Sequence, residues 1–302
     1  MSDIVRSKNS LVDAVCLELD SLHTRKAYKR EIMAFLNWIE QSGLTICRTS
    51  LSAYKDQLRS DRRDTSINLA LAAIRKFVRH AATIGQLDHA AAEVICSIPD
   101  LKIQGQKTGR WLDKKQAEDL LNLPDTSTTK GLRDRVILVL LLGCGLRRFE
   151  AKSLTIEQIQ QREGRWVLID VRGKGNRIRT VCLPSWGKAI IDKWLERSGI
   201  DRGLLIRVVS WKRGTCRVFD TPLSTTGIWR AVQCYSRRLG FQIAPHDLRR
   251  TYAKLAKKNG AGLDQLMLSL GHQSLETTKR YLGLEIDYDR APGDLLGLDV
   301  EV

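Results

Sequence analysis

Over residues 10–97, apolar side chains recur at intervals of three and four with no proline and no paired glycine between them, which predicts a run of helices. One helix begins near Thr24. Tyr28, Ile32, Phe35 and Ile39 share its apolar face, while Arg25, Lys26, Lys29 and Arg30 fall mostly off that face. A second runs from Thr65 to about Thr83, with Ile67, Leu71, Ile74, Phe77 and Val78 inward and Arg75, Lys76 and Arg79 outward. Ile98-Pro99 closes this half, and residues 102–109 (KIQGQKTG), polar with two glycines, read as a linker.

The second half is mixed. A helix is expected over residues 113–121 and a buried one over 132–142. Residues 165–171 (RWVLIDV) and 178–183 (IRTVCL) read as strands, joined through Gly173-Lys174-Gly175-Asn176, where glycine tolerates the positive φ of a tight turn. Several helices should follow to about Leu282. The expected class is α+β and mostly helical: a helical domain over 1–100, a linker over 101–109, and a mixed domain over 110–302 with a small antiparallel sheet.

Composition narrows the partner. The chain of 302 residues carries 50 Lys and Arg against 34 Asp and Glu, a net charge of +16, with 43% hydrophobic residues. A core is within reach, and a chain this basic most plausibly meets nucleic acid. Much of the excess sits in residues 201–260, with 13 basic and 3 acidic side chains. The longest apolar run, residues 136–142, is far below the roughly 20 residues of a membrane span. The 7 cysteines include no CxxC or CxxH pair, so a zinc ribbon and a disulfide framework are both disfavoured. The first 20 residues lack the pattern of a signal peptide. A cytoplasmic, nucleoid-associated protein with reduced thiols and no membrane partner is expected.

The chemistry is informative first by omission. The sequence has no GxxxxGKS/T loop, no GxGxxG after a strand, no HExxH and no GxSxG. If the chemistry is on DNA phosphates, cations of the protein itself must stabilise the charge, and neither a metal nor another cofactor is expected. Candidate groups are Arg147 after the buried helix, Lys174 at the strand turn, His246 and Arg249 three residues apart on one helix, His272 at a helix end, and Tyr281 nine residues on. Each alone has an ordinary structural reading: an ion pair, a solvated turn, a core histidine, a core tyrosine.

Taken together, they resemble the tyrosine recombinase (phage integrase) family in order and spacing. Cys144-Gly145-Leu146-Arg147-Arg148-Phe149-Glu150-Ala151 is similar to its box T-G-L-R-x-x-E-L. Residues 173–179 match G-K-G-x-x-x-R, and residues 246–253 match H-x-L-R-H/R-S/T-F/Y-A. Leu270-Gly271-His272-Gln273-Ser274 with Thr277, Thr278 and Tyr281 matches L-G-H-x-S-x-x-T-T-x-x-Y. Cys144 and Ala151 depart from the commoner Thr and Leu, at positions without catalytic duty.

The resemblance implies a site-specific recombinase that cuts and rejoins DNA through a 3′-phosphotyrosyl intermediate. Tyr281 would be nucleophile, Arg147 and Arg249 phosphate ligands, Lys174 the proton donor to the leaving hydroxyl, His246 the acid–base partner and His272 a hydrogen bond to phosphate. Glu150 would orient rather than react. The helical half would be the family's core-binding domain and the mixed half its catalytic domain. DNA contacts are expected from Arg25, Lys26, Lys29, Arg30, Arg75, Lys76, Arg79, Arg177, Arg179 and Arg250. The partner would be double-stranded DNA recombination sites, bound by a homotetramer on two duplexes, with the acidic segment 283–302 and its Leu295, Leu296 and Leu298 exchanged between protomers. Two other readings are a relaxing type IB topoisomerase and a catalytically silent DNA-binding regulator; the second expects a broken motif position, and none is seen.

Overall fold

The computed structural model describes residues 2–102, 110–212, 215–240 and 242–282, with side chains described for all of these except 2–9, 174, 211, 212, 215 and 280. The chain divides into two compact units, Met1–Lys107 and Thr108–Val302.

Among the described residues, the first unit is all helix: α1 (Ser2–Leu17), α2 (Leu22–Gln41), α3 (Arg48–Leu58), α4 (Asp64–Thr83) and α5 (His89–Cys96). Its core is the predicted stripe made solid. Ile32 and Phe35 of α2 and Ile67, Leu71 and Ile74 of α4 are wholly buried. Ala70, Ala73, Ala81 and Ala82 keep the packed face of α4 shallow, so the two longest helices approach closely. Beside them Tyr54 packs on Phe35 and Trp38 with ring centroids 5.2 Å away in each case. Glu31, only 2% exposed, keeps its charge inside by accepting bonds from Arg30 Nε (2.9 Å) and Arg62 Nη1 (2.5 Å).

In the second unit come α6 (Lys114–Asn122), α7 (Thr129–Leu138) and, after a π-helical turn at Val139–Gly143, α8 (Arg148–Ser153). Three strands follow, β1 (Ile159–Arg162), β2 (Arg165–Arg172) and β3 (Ile178–Cys182). They form one antiparallel sheet in the order β1-β2-β3, with Leu168 opposite Val181. Next are α9 (Ser185–Ser198), a hairpin of β4 (Arg207–Lys212) and β5 (Thr215–Pro222), and then α10 (Thr225–Arg238), α11 (Pro245–Lys258), α12 (Leu263–Leu270) and α13 (Leu275–Leu282). Residues 136–142 lie at the centre, each at most 6% exposed. An apolar surface on every side suits a helix packed all round by other elements.

Two elements depart from expectation. The hairpin β4–β5 stands where helices were expected, and β1 makes the first sheet three-stranded rather than a simple hairpin. Val209 pairs with Val218 and Val208 with Phe219, so apolar residues stand on both faces of the ribbon and no clean period-two pattern marks its strands. β1 is four residues long with two glutamines, too short and polar to register as a period-two pattern. The expected turn of residues 173–176 does form, and positive φ falls on Gly175 (72°) and Asn176 (56°).

Candidate active site

Four segments of the second unit deliver its reactive side chains. The first is the end of the buried helix. There the turn widens, Cys144 N donating to Val139 O at 3.1 Å and Leu146 N to Leu140 O at 3.0 Å. Gly145 then takes φ +61°, and a Cβ there would lie 2.7 Å from Tyr252 Cδ1. No side chain fits between this turn and α11, so the chain passes flat over Tyr252 and leaves Arg147 at the head of α8. Glu150 closes that helix end from the third position, its Oε2 accepting from Arg147 N at 2.7 Å.

Pro245 opens α11, and the Asp247 carboxylate caps it by accepting from Ala244 N at 2.9 Å. His246 and Arg249 therefore sit one turn apart. Helix α12 stops at Gly271, φ +60°, and His272 N returns to Met267 O at 3.1 Å. The His272 ring is held by Nδ1 against Thr278 Oγ1 at 3.0 Å, and Thr278 is completely buried in α13. A small apolar cluster of Ala253, Leu266, Leu270 and Leu282 ties α11, α12 and α13 together, with Tyr281 packed at its edge.

Around the Tyr281 ring the groups converge. His272 lies 5.2 Å and His246 5.4 Å from it, centroid to centroid and both edge-on, and the Arg250 guanidinium is 5.3 Å from its centre. The phenol donates weakly to His246 O at 3.4 Å. Burial pushes the Tyr281 pKa above its ordinary 10, against the pull of Arg249, Arg250 and Arg147. Both imidazoles are pushed the other way. Desolvation and then the positive charges of Arg249, Arg147 and Arg179 lower His272 from 6.5 to about 4. His246, its outer side open to solvent, is lowered by desolvation and then by Arg249 and Arg250. At neutral pH the site therefore holds a protonated phenol between two uncharged imidazoles.

One carboxylate organises the arginines. Glu150, 2% exposed, accepts from Arg147 Nη1 (2.9 Å), Arg179 Nη1 (3.0 Å) and Arg179 Nη2 (2.8 Å), and Arg249 Nη1 stands 3.8 Å from its Oε2. Desolvation works to raise its pKa, but Arg179 and Arg147 outweigh that and hold it below the usual carboxylate value. The buried arginines differ in kind. Arg179 is matched fork to fork with a full negative charge. Arg249, 1% exposed, donates to the carbonyls of Gly145 (2.6 Å) and Leu270, its Nε has no partner, and burial with the Arg147 charge lowers its pKa to about 10. At neutral pH it is a buried cation facing dipoles rather than a counter-charge. Such a cation, its nearest carboxylate oxygen 3.8 Å away, is suited to hold a small anion.

Arg147, His246, Arg249, His272 and Tyr281 are thus brought together. The side chain of Lys174 lies outside the described residues, as does all of 283–302 with Leu295, Leu296 and Leu298, and residues 103–109 of the expected linker. Three expected DNA contacts are placed differently from expectation. Arg179 is turned inward on Glu150, its side chain 9% exposed. Arg25 closes the end of α1, donating to Leu19 O at 2.6 Å and Leu17 O at 3.3 Å. Arg75 is folded onto Asp100 with 17% of its side chain exposed. In each case a carbonyl or carboxylate of the same unit claims the fork. Lys29 and Lys76 are paired with Asp13 and Glu18, while Lys26, Arg30, Arg79 and Arg177 are exposed, and Arg250 lies over Tyr281. The Gly145–Tyr252 contact and the inward arginine were not foreseen; the seventh position of G-K-G-x-x-x-R was the available signal for the latter.

A helical unit followed by a mixed unit that groups two arginines, two histidines and a tyrosine defines a class of protein with a cationic site built around a tyrosine. The pattern of the Phage integrase family matches residues 110–286, and that of the phage integrase N-terminal SAM-like domain matches residues 16–84. The chain belongs to the phage integrase family, the site-specific tyrosine recombinases that cut and rejoin DNA. It is 30% identical to tyrosine recombinase XerC of Pelobacter propionicus over 90% of this chain and 89% of the relative. Identity to tyrosine recombinase XerD of Pseudomonas aeruginosa is 29%, over 89% and 90%. In fold it is similar to the XerH recombinase bound to palindromic difH substrate, with TM-score 0.72 and 19% identity over 93% of this chain and 82% of that one.

Proposed function

We propose that the chain recombines specific DNA sites through a covalent tyrosyl intermediate formed at Tyr281. The observation that carries this reading is the convergence of Arg147, Arg249, His246 and His272 on the Tyr281 ring. The phenolic oxygen attacks the phosphorus, the bond to the 5′-oxygen breaks, and Lys174 gives the departing hydroxyl its proton. His246, uncharged at neutral pH, takes the phenolic proton; a phenol held above pKa 10 needs such a base. Arg147 and Arg249 hold the non-bridging oxygens, where negative charge builds. His272, with Nδ1 committed to Thr278, offers Nε2 to the phosphate. The phosphotyrosyl bond conserves the energy of the broken diester, and a second 5′-hydroxyl reseals it without nucleotide hydrolysis.

Metal ions have no role in this scheme, since fixed guanidinium groups supply the charge. We extend the reading to a cytoplasmic, nucleoid-associated homotetramer on two duplexes, joined by exchange of residues 283–302. Incubation with a pool of nicked duplexes tests the core of it: the chain should form a denaturation-resistant adduct, equally in excess EDTA, and Tyr281→Phe should bind the same DNA and form none. Adduct formation by that variant would remove Tyr281 from its role, and loss in EDTA would remove the metal-free scheme.

A further inference from the structure

Arg179 was expected at the DNA surface, and its environment argues for another duty. Every donor-bearing nitrogen of its guanidinium is engaged inside the unit: Nε with Ser269 O at 2.7 Å, Nη1 with Glu150 Oε1 at 3.0 Å and Nη2 with Glu150 Oε2 at 2.8 Å. Three of its five N–H donors are thereby taken, the side chain is only 9% exposed, and its charge is already matched by the buried carboxylate. Arg249, with an unpartnered Nε and no carboxylate closer than 3.8 Å, is its opposite.

The partners of Arg179 come from three segments. Its own backbone is in β3, the strand that leaves the turn of residues 173–176. Glu150 is the residue that anchors Arg147 through both its backbone N–H and its guanidinium. Ser269 is in the last turn of α12, where a carbonyl has no helical partner and a cation is favoured by the helix dipole. Two residues on, the chain pivots at Gly271 to present His272. A Cβ on Gly271 would lie 3.0 Å from Arg179 Cδ, so the arginine stem and the pivot are in van der Waals contact. A strand and two helices, β3, α8 and α12, are thereby stitched at one point.

We propose that Arg179 is a positioning residue of strand cleavage, fixing the Arg147–Glu150 pair, the His272 turn and the β3 end of the lysine-bearing hairpin relative to one another without touching DNA. The proposal rests on the function given above. Its energetic logic is geometric, because displacement of a reacting group by about 1 Å costs on the order of 100-fold in rate. Glu150 keeps Arg147 as a partner when Arg179 is replaced, so the buried carboxylate is not orphaned and the unit retains its core.

The test uses the full chain, a duplex selected by covalent trapping with that chain, and two variants, Arg179→Gln and Arg179→Lys. With Arg179→Gln, the single-turnover adduct rate at saturating DNA should fall by about 100-fold. The dissociation constant should stay within about 3-fold, and the salt dependence of binding should be unchanged, since each lost phosphate contact would lower the log–log slope by about 0.9. Arg179→Lys, which keeps the charge and one of the bonds, should recover about 10-fold of the rate. A DNA-free readout accompanies these. The charged and titratable groups that face His272 are Arg249, Arg147, Arg179 and His246, beside the Tyr281 ring. Loss of the Arg179 charge should raise the His272 titration followed by NMR above its value in the unsubstituted chain, with the Thr278 contact loosened. Weaker binding with a shallower salt slope and unchanged cleavage at saturation would make Arg179 a DNA contact and overturn the proposal, as would an unshifted His272 titration with normal cleavage. Absence of any adduct from the unsubstituted chain would instead refute the recombinase reading, and the NMR arm would still decide the tether.

Discussion

At the scale of single residues, the site is governed by how few negative charges it contains. Among the described residues, Glu150 is the carboxylate that the clustered arginines share in direct contact, and two of them, Arg147 and Arg179, take all of its hydrogen bonds. Arg147, with 27% of its side chain exposed, still presents the free edge of a rigid fork. Arg147→Lys keeps the charge but loses the two-point geometry, so single-turnover cleavage should fall by about 100- to 1,000-fold with DNA affinity little changed; equal rates would exclude the fork as the reason for arginine here. The histidines carry a pH signature. In the folded chain His272 titrates at about 4, against 6.5 for an ordinary histidine. Above pH 6.5 it is neutral in both states and contributes nothing to pH dependence. Between 6.5 and about 4 the unfolded chain takes up the proton and the folded chain does not, so stability falls as the pH drops and the loss is complete below about 4. Melting curves across this window should show a smaller acid loss for His272→Gln than for the unsubstituted chain. His246 is shifted in the same direction, which is why the single substitution, and not the whole profile, is the measurement.

At the scale of elements, rigidity is built from the buried helix outward. Residues 136–142 fill the centre of the second unit, and the π-helical turn at Val139–Gly143 changes the phase at which the chain leaves it. Arg147 is aimed by that change of phase and by the flat passage of Gly145 over Tyr252. Leu140 is wholly buried in this turn. Leu140→Ala should cost about 2–5 kcal/mol of stability in chemical denaturation, and a cost under 1 kcal/mol would mean that the core collapses around the gap. Helix α13 is the contrasting case, a short element held by buried Thr278 and Leu282, with Tyr281 on the flank of the same face. The helical half was legible because α2 and α4 each keep one apolar stripe for five turns. The β4–β5 hairpin was not, because apolar residues stand on both of its faces and leave no alternation to read.

At the scale of the whole molecule, the basic excess is a statement about its partner. A net charge of +16 on 302 residues predicts binding that weakens steeply with salt. Arg25, Arg75 and Arg179 bond to carbonyls or carboxylates of the protein itself, so a count of arginines is not a count of side chains free to meet phosphate. The acidic segment 283–302 runs against the general charge, with six acidic residues and one arginine. Removing residues 285–302 should leave cleavage of a single nicked duplex intact and abolish pairing of two duplexes in gel filtration; intact pairing would exclude exchange of this segment between protomers.

The helical stripe of the first half and the glycine turn around Lys174 were set by local rules, since periodicity and turn preference act between residues close in the chain, and the chemistry-bearing residues were legible through their resemblance to the family's motifs. Glu150 was legible as a supporting residue through the same resemblance, and the structure places its carboxylate on the backbone N–H of Arg147, three positions before it. Which arginines face outward was another matter. Arg179 and Glu150 are 29 residues apart, Arg179 and Ser269 are 90 apart, and Arg249 meets Gly145 across 104. Charge and spacing cannot tell a guanidinium that reaches solvent from one matched by a distant carboxylate. That choice depends on desolvation and pairing, quantities that come into being only when remote segments pack together.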